Sequence, residues 1–558
     1  MNDIGALVSL AASLEGRSFS AYKQLTGTWM GNGYTLIIEH VQPDPFSTAS
    51  MVCLRIAHET HGIPKELWSK PQRAKGLLDY LLRVFSSSAE ACPGVGSGRS
   101  CGIFVDAGGA EILERSAAAI SSDYLSLRFR VGLPARRRTV LGEAAARLLG
   151  DVLIRALESV YWRNLDQQSA REWAFIAEEH AHLQDLLKEK GLISFIRDGS
   201  VLTPNRDGEP LPFSSPKTRR LTLPTLHHGE ISGMAIPEGV TLISGGTFHG
   251  KSTLLAAIAA GVYPHVPGDG REWLVTRADA VRVGSQKGRA ITGVYLTPLV
   301  HDLPSGADTD FFSSANAAAP TSLAADVMEA LEIGCSAILL DEDDAVGVSL
   351  QRGPCARELL RSETVTPLAD VVERLRAAGV SVVVATAGGG EYYQTADLVI
   401  MMDKYRARDV TAKAKKIAQK QRSDRRGAKP ADVAPLAARE RYPLPSSFSS
   451  RRRGRTIIGV SGPLTLRFGE ETLVFSNGAQ LVDESQLRAI GILLELAARY
   501  ANGARSLRQI VSLVWQKARE RGLFAIGNSP ELALPRRCEI AAAVNRLARL
   551  DLKYPHKG

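Results

Sequence analysis

Gly245-Gly246-Thr247-Phe248-His249-Gly250-Lys251-Ser252, near the middle of a 558-residue chain, matches the pattern G-x-x-x-x-G-K-[ST]. The apolar run Val240-Thr241-Leu242-Ile243-Ser244 before it reads as a buried strand, and Lys251 to Ala260 after it reads as a helix. A glycine-rich loop between strand and helix is a phosphate cradle. Its glycines let backbone N–H groups turn inward around phosphate oxygens, and the helix N-terminus adds a favourable dipole. The candidate contacts to ATP are therefore Gly245, Gly246, Thr247, Phe248, His249, Gly250, Lys251, Ser252 and Thr253. In this pattern Lys251 bridges the β- and γ-phosphates and Ser252 places its hydroxyl on Mg²⁺. A chance glycine-rich turn is the competing reading, and it does not account for the strand and helix on either side.

Further along, Ala337-Ile338-Leu339-Leu340-Asp341-Glu342 is an apolar strand ending in two carboxylates. Asp341 is the candidate to organise Mg²⁺, often through water. Glu342 is the candidate catalytic base, since in-line displacement needs a group that orients the attacking water. A solvated strand end is the alternative, and Asp343 and Asp344 are read that way. Ser336 to Leu340 and Val380 to Ala385 read as strands, and Thr321 to Glu332 and Pro367 to Ala378 as helices. The alternation is that of a wound α/β sheet.

The flanks are different in character. Tyr34 to Ile38 reads as a strand, Arg73 to Val84 as a helix, Pro93 to Gly98 as a loop, Gly102 to Asp106 as a strand, and residues 141 to 190 as helical. From Lys404 to Arg455 there are 17 Lys/Arg against 4 Asp/Glu, more than the whole chain's net charge of +9. Asp483 to Tyr500 and Arg536 to Leu550 read as helices. The division that follows is an N-terminal α+β domain (1–160), a helical connector (161–212), an ATPase core (213–403), a basic helix and linker (404–455) and a C-terminal α+β region (456–558). No internal repeat is visible, so one chain carries one core. No apolar run reaches the length of a bilayer span, so no direct membrane insertion is expected. Cys53, Cys92, Cys101, Cys335, Cys355 and Cys538 have neither zinc nor disulfide-scaffold spacing. With no signal peptide at Met1, the residues alone read as a soluble protein of a reducing compartment such as the cytoplasm.

The stretch from Gly239 to Ala418 resembles the predicted ATPase family of the ABC class. The resemblance is carried by Gly250-Lys251-Ser252-Thr253-Leu254-Leu255, Gly261-Val262-Tyr263 with Pro267-Gly268-Asp269-Gly270-Arg271-Glu272, Leu303-Pro304 with Asp308-Thr309, Asp341-Glu342-Asp343, and Ala396-Asp397 with Met402-Asp403. It extends to His40 through Phe46, Val131 through Ala135, and Pro535-Arg536-Arg537 with Glu539 through Ala543. It implies an α/β fold: a P-loop, ABC-type nucleotide-binding core, an α+β N-terminal domain and a small helical C-terminal region.

Two departures from the family pattern bear on catalysis. The counterpart of the ABC signature, which the resemblance assigns to the opposite subunit's γ-phosphate, reads Ala317-Ala318-Ala319-Pro320-Thr321-Ser322 where the family has approximately Ala-Ser-Gly-Ser-Thr-Ser. Ala318 has no hydroxyl, and Pro320 has no N–H to donate. Only Thr321 and Ser322 keep hydroxyls. The switch region reads Ala387-Gly388-Gly389-Gly390-Glu391-Tyr392 where the family resembles Gly-Gly-Ser-Gly-Asp-Tyr, with no histidine. Both changes are compatible with ATP binding and point to slow hydrolysis.

Within this family the chain is similar to the kinetoplastid mitochondrial ABC ATPases associated with RNA editing. That likeness implies an RNA-binding homodimer with a basic pore, an RNA-processing protein complex as partner, and a mitochondrial location. The nucleic-acid candidates are Arg136, Arg137 and Arg138; Lys413, Lys415 and Lys416, with Lys420, Arg422, Arg425 and Arg426; and Arg451, Arg452, Arg453 and Arg455. Such groups neutralise phosphates and release counterions. For residues 420 to 455 a solvated linker is the alternative. His180 and His182, beside Glu178 and Glu179, read as surface helix residues rather than metal ligands. Two other functions stay open: an ATPase subunit of a membrane transporter, and a DNA-associated ABC clamp.

Overall fold

A computed structural model describes residues 3–89, 101–202, 211–342, 364–388, 390–423, 436–462, 464–475 and 480–553. The Pro93–Gly98 loop, Asp343, Asp344, Arg425 and Arg426 lie outside the described residues. The chain forms two compact units, Met1–Glu178 with Arg519–Leu534, and Glu179–Ala518 with Pro535–Gly558.

The first unit is built on one antiparallel sheet. Its strands run in the order Gly27–Met30, Tyr34–His40, Ser50–Ala57, Tyr124–Gly132 and Gly102–Phe104, with Ala118–Ile120 also paired to Tyr124–Gly132. The helix Pro71–Ser88 begins on a proline, which the first turn tolerates because its N–H has no helical partner anyway. It contributes Leu77, Leu81 and Phe85 to the core that holds Leu54, Leu127 and Phe129. The run Arg136-Arg137-Arg138 forms the tip of a hairpin, Ala135–Arg136 against Thr139–Val140. Ala135 and Val140 anchor it in the core while all three arginines are exposed. Arg137 turns the chain with φ 55°.

A histidine pair in this unit has a defined proton arrangement. The Ile63 N–H donates to His61 Nδ1 (3.0 Å), so His61 carries its proton on Nε2 and gives it to His58 Nδ1 (2.9 Å). His58 in turn donates from Nε2 to the Ser121 carbonyl (3.0 Å). Burial, reinforced by His58, pushes the His61 pKa down from 6.5 to about 4. Folding thus requires His61 neutral. Its contribution to stability, up to about 3 kcal/mol, is complete above the unfolded value and declines as pH falls from about 6.5 toward about 4. Denaturant melts between pH 7 and 4 should show the parent losing more stability than His61→Gln. Parallel curves would contradict the buried neutral ring.

In the second unit the main sheet has the order Ala280–Val283, Ala337–Asp341, Ser381–Thr386, Val240–Ser244, Leu398–Asp403 and Arg406–Asp409. The first five are parallel and the last is antiparallel. Val240–Ser244, Ala337–Asp341 and Ser381–Thr386 are buried at every residue. That is why they read as unbroken apolar runs instead of alternating ones. The helices Lys251–Ala260, Ala319–Ile333 and Leu368–Ala377 form the crossovers. An antiparallel sheet of Arg220–Pro224, Glu230–Pro237, Leu192–Arg197 and Leu274–Thr276 belongs to the same unit. So does a three-stranded one of Ile458–Val460, Thr465–Phe468 and Glu471–Val474, against which the helix Glu484–Ala497 packs.

Three sequence readings need correction. The helix expected over 536–550 stops at Val544, where the Arg546 and Leu547 N–H groups turn to the Ala543 and Val544 carbonyls (both 3.1 Å), and Asn545 accepts from Arg441 Nη2 (2.6 Å). Residues 436–455 are folded, not linker: Arg441 is buried in an ion pair with Glu332 (2.5 Å), and Arg451–Arg452 pairs with Arg455–Thr456. His180 is buried, with Nε2 3.0 Å from the Gly261 carbonyl, and Glu179 is buried accepting from the backbone N–H groups of Leu226 and His227. These positions lie on the helix Gln167–Glu189. Among the described residues no group of three or more His, Cys, Asp or Glu is placed to hold a metal ion.

Candidate nucleotide site

The phosphate loop leaves the sheet at Ser244 and re-enters regular structure at Lys251. Two glycines are demanded by its path. Gly245 has φ 144°, and a Cβ there would lie 2.3 Å from the Met402 carbonyl oxygen. Gly250 has φ 96°, and a Cβ there would lie 2.7 Å from the Tyr405 ring. As the residue before the helix, Gly250 supplies no side-chain cap, so the first-turn N–H groups face the loop's interior uncapped by it. Lys251 is 4% exposed and donates from Nζ across the loop to the Gly246 carbonyl (3.0 Å). Its ammonium therefore sits within the curl of the loop. Ser252 is exposed at the helix start and Thr253 half-buried. These donors suit a triphosphate and its metal.

Phe248 is the exception to the loop's small residues. It is 88% exposed and held at φ 64°, which costs a bulky residue on the order of 1–3 kcal/mol. His249 is tied to the hairpin between the last two strands of the sheet. Its Nδ1 accepts from the Lys404 N–H (3.1 Å) and its carbonyl from the Tyr405 N–H (3.1 Å). Lys404 and Tyr405 both take left-handed backbone, φ 49° and 63°. The sequence reading did not single out Tyr405. Its signal was an aromatic residue in a two-residue turn after Met402-Asp403.

Strand register brings the acidic pair to the loop. Leu340 and Leu242 both pair with Val384, from either side. Asp341 and Glu342 therefore leave the sheet level with Ile243 and Ser244, two strands away, or about 10 Å at the usual spacing. Asp341 is buried. Glu342 is half-buried, and its N–H donates to the Ala385 carbonyl (2.9 Å). The switch segment comes to the same place. The Gly388 N–H donates to Thr386 Oγ1 (3.1 Å), and the Tyr392 hydroxyl reaches Glu342 Oε1 at 3.4 Å. Sequence reasoning named Tyr392 only as part of a motif.

Ala318 caps the helix Ala319–Ile333 without a side-chain hydrogen bond, and Pro320 lies in its first turn. Ala318 is exposed, whereas Thr321 turns its hydroxyl back to the Ala318 carbonyl (2.9 Å). Ser322 is fully buried, its Oγ accepting from the Gln286 N–H (3.0 Å) and Arg289 Nε (3.2 Å). Arg289 is itself paired with Asp326 (3.0 Å) and Glu329 (2.9 Å). The two hydroxyls retained in the signature segment are thus engaged within their own chain.

Of the basic candidates, Lys413, Lys416 and Lys420 share one exposed stripe of the helix Thr411–Ser423. Lys415 is engaged instead, donating to the Gln394 carbonyl (2.7 Å). Arg451, Arg452, Arg453 and Arg455 are exposed on their hairpin. Arg136, Arg137 and Arg138 belong to the first unit and the others to the second.

Residues 166–439 match the P-loop domain of the ABC ATPase family. Residues 5–163 match the N-terminal domain of the ATPases of the ABC class, and 458–553 the MRB1590 C-terminal domain. Among solved structures, the chain is similar to cbiO1 from Clostridium perfringens, part of the ABC transporter complex cbiONQ. Identity is 14% over 39% of this chain and 87% of that one, with a TM-score of 0.24. It is similar at 13% identity to a bacterial Atm1-family ABC exporter with ATP bound, over 52% of each chain with a TM-score of 0.25. No curated protein matches the chain. No helix among the described residues is long and apolar enough to cross a membrane.

Proposed function

We propose that this chain, which belongs to the P-loop ATPases of the ABC class, binds and slowly hydrolyses ATP as a homodimer that also binds RNA and acts in RNA processing. The observation that carries the ATPase reading is the register that sets Asp341 and Glu342 level with the start of the Gly245–Ser252 loop. Lys251 and the loop N–H groups would hold the β- and γ-phosphates, and Ser252 and Asp341 would hold Mg²⁺, whose charge would offset that of the phosphates. Glu342 accepts the proton of the water whose oxygen bonds to the γ-phosphorus as the bond to ADP breaks. Turnover is slow because the signature segment of the second copy offers little beyond the N–H groups at its helix start: Ser322 is buried, Ala318 and Ala319 have no side-chain donor, and Pro320 has no N–H either. One core per chain supports two chains sharing each bound nucleotide.

The RNA reading is supported by the arginine hairpin tip at 136–138 and the Lys413, Lys416 and Lys420 stripe. It is supported also by likeness to the kinetoplastid mitochondrial ATPases associated with RNA editing, from which the mitochondrial location follows. Single-stranded RNA should bind through phosphates with little sequence preference. Replacing Arg136, Arg137 and Arg138 with Ala should weaken every sequence alike. It should also flatten the log–log salt slope by about 2, at roughly 0.7 per phosphate contact. Titrations at several salt concentrations decide it. Unchanged affinity and slope move the site to the basic residues of 413–455. A parent that ignores RNA at low salt removes the RNA reading and reopens the transporter and partner-protein readings.

A further inference from the structure

Phe46 stands 66% exposed on the loop between the strands Tyr34–His40 and Ser50–Ala57 of the first unit. Its backbone is held by a built turn. Asp44 Oδ1 accepts from the N–H groups of Phe46 (2.8 Å) and Ser47 (3.1 Å). The Ser47 N–H also reaches the Asp44 carbonyl (3.2 Å), and Gln42 Nε2 donates to that same carbonyl (3.3 Å). Pro43 and Pro45 restrict φ on either side of Asp44, and Pro45 is buried. The turn therefore carries a large apolar ring in water at a fixed place, and the free energy of burying that ring is forgone.

The loop is pinned to the strand end that leads into the arginine hairpin. Gln42 is 1% exposed and accepts at Oε1 from the Ser50 and Leu133 N–H groups (both 3.3 Å). Its own N–H donates to Ser50 Oγ (3.1 Å). Arg130 Nη1 donates to the Ala49 carbonyl (3.2 Å), and Ser50 pairs with Val131. Just past Leu133 the hairpin Ala135–Val140 begins, with Arg136, Arg137 and Arg138 at its exposed tip. Through the contact of Gln42 with Leu133, an aromatic ring and three cations share one end of the sheet. Even with the chain fully extended from Gln42 to Phe46 and from Leu133 to Arg136, ring and hairpin tip lie no more than about 30 Å apart. A short oligonucleotide spans that distance.

We propose that this end of the first unit binds single-stranded RNA, with a base stacked on Phe46 and the flanking phosphates taken by Arg136, Arg137 and Arg138. This rests on the RNA reading above and names the form of RNA it concerns. Every base has a π-face, so stacking adds affinity without selecting sequence, and it needs a base that is not already stacked in a duplex. The arginines alone would accept the phosphates of a duplex or a single strand. The ring is what makes the surface selective for unpaired strands. Because the Asp44 turn fixes the backbone before RNA arrives, little order is lost on binding. A protein docking on Phe46 is the competing use of the ring, and the neighbouring arginines favour a polyanion.

The experiment titrates the full-length parent, Phe46→Ala, Phe46→Trp and the triple variant Arg136→Ala, Arg137→Ala, Arg138→Ala at several salt concentrations. The probes, each about twelve nucleotides long, are oligouridylate, an abasic ribose-phosphate strand and an RNA duplex. Phe46→Ala should weaken oligouridylate binding about tenfold, and by the same factor at every salt concentration, because stacking releases no counterions. The triple variant should flatten the salt slope instead. The abasic strand and the duplex should bind the parent and Phe46→Ala alike. Phe46→Trp should keep the parental affinity, and its added indole should lose fluorescence with oligouridylate and not with the abasic strand. Sedimentation of the parent and Phe46→Ala runs alongside. Equal oligouridylate affinity in the parent and Phe46→Ala overturns the stacking role, and altered self-association of that variant then assigns the ring to a protein interface. Equal losses for all three probes overturn it as well, since they mark a general disturbance of the loop. A parent that binds none of the probes at low salt defeats the RNA reading itself and this proposal with it.

Discussion

Glu342→Gln stops ATP turnover, by about 10² to 10⁴-fold, while MgATP stays bound and two-chain species accumulate. The substitution keeps the shape and the hydrogen bond from Tyr392 and removes only the ability to take a proton. The backbone N–H to Ala385 is untouched, so the strand end stays where it is. On the proposed reading hydrolysis releases a nucleotide shared by two chains, so blocking it should trap the nucleotide-bound dimer. Phosphate release and sedimentation with and without ATP measure both halves. A brisk parent ATPase that survives the change, or a chain that stays monomeric with ATP bound, contradicts the reading.

Lys251→Ala costs about a hundredfold in MgATP affinity, the loss of a buried charge-assisted contact to phosphate. The lysine is almost wholly enclosed and its ammonium already lies across the loop against the Gly246 carbonyl. Little has to move for it to reach phosphate oxygens. Adenosine, which lacks phosphates, should bind parent and variant alike, and RNA binding at low salt should persist. Calorimetric titration with both ligands separates a local loss from unfolding. Equal MgATP affinity in parent and variant places the triphosphate somewhere else.

The core was legible because its signals are local. The helix read over Lys251 to Ala260 is the helix observed, and the runs at Val240, Ile338 and Val382 are fully buried strands. Glycine spacing and a strand–helix context need no distant partner to be recognised. What stayed hidden is contact across sequence. Ser322 looked available as a hydroxyl, yet Arg289 holds it from 33 residues away. Arg441 sat in a basic run and looked solvated, because a charge count cannot distinguish an arginine facing water from one paired with Glu332, 109 residues away. Tyr405 and Tyr392 acquire meaning only through the sheet that brings the Leu398–Asp403 hairpin and the switch segment to the loop.

The late segments have a consequence for how the molecule is made. The first unit takes Arg519–Leu534 into itself, the Ser116 N–H donating to the Leu532 carbonyl and the Leu534 N–H to the Glu114 carbonyl, both 2.8 Å. The second closes its buried charges with Asn545, which accepts from Arg441. Neither unit is finished when its own early residues leave the ribosome. Domains commonly fold in turn during synthesis, N-terminal first. Here the Glu114 and Ser116 contacts of the first unit and the Asn545 contact of the second wait for residues 532–545 to emerge, so each unit completes its packing only after the ATPase core has been synthesised.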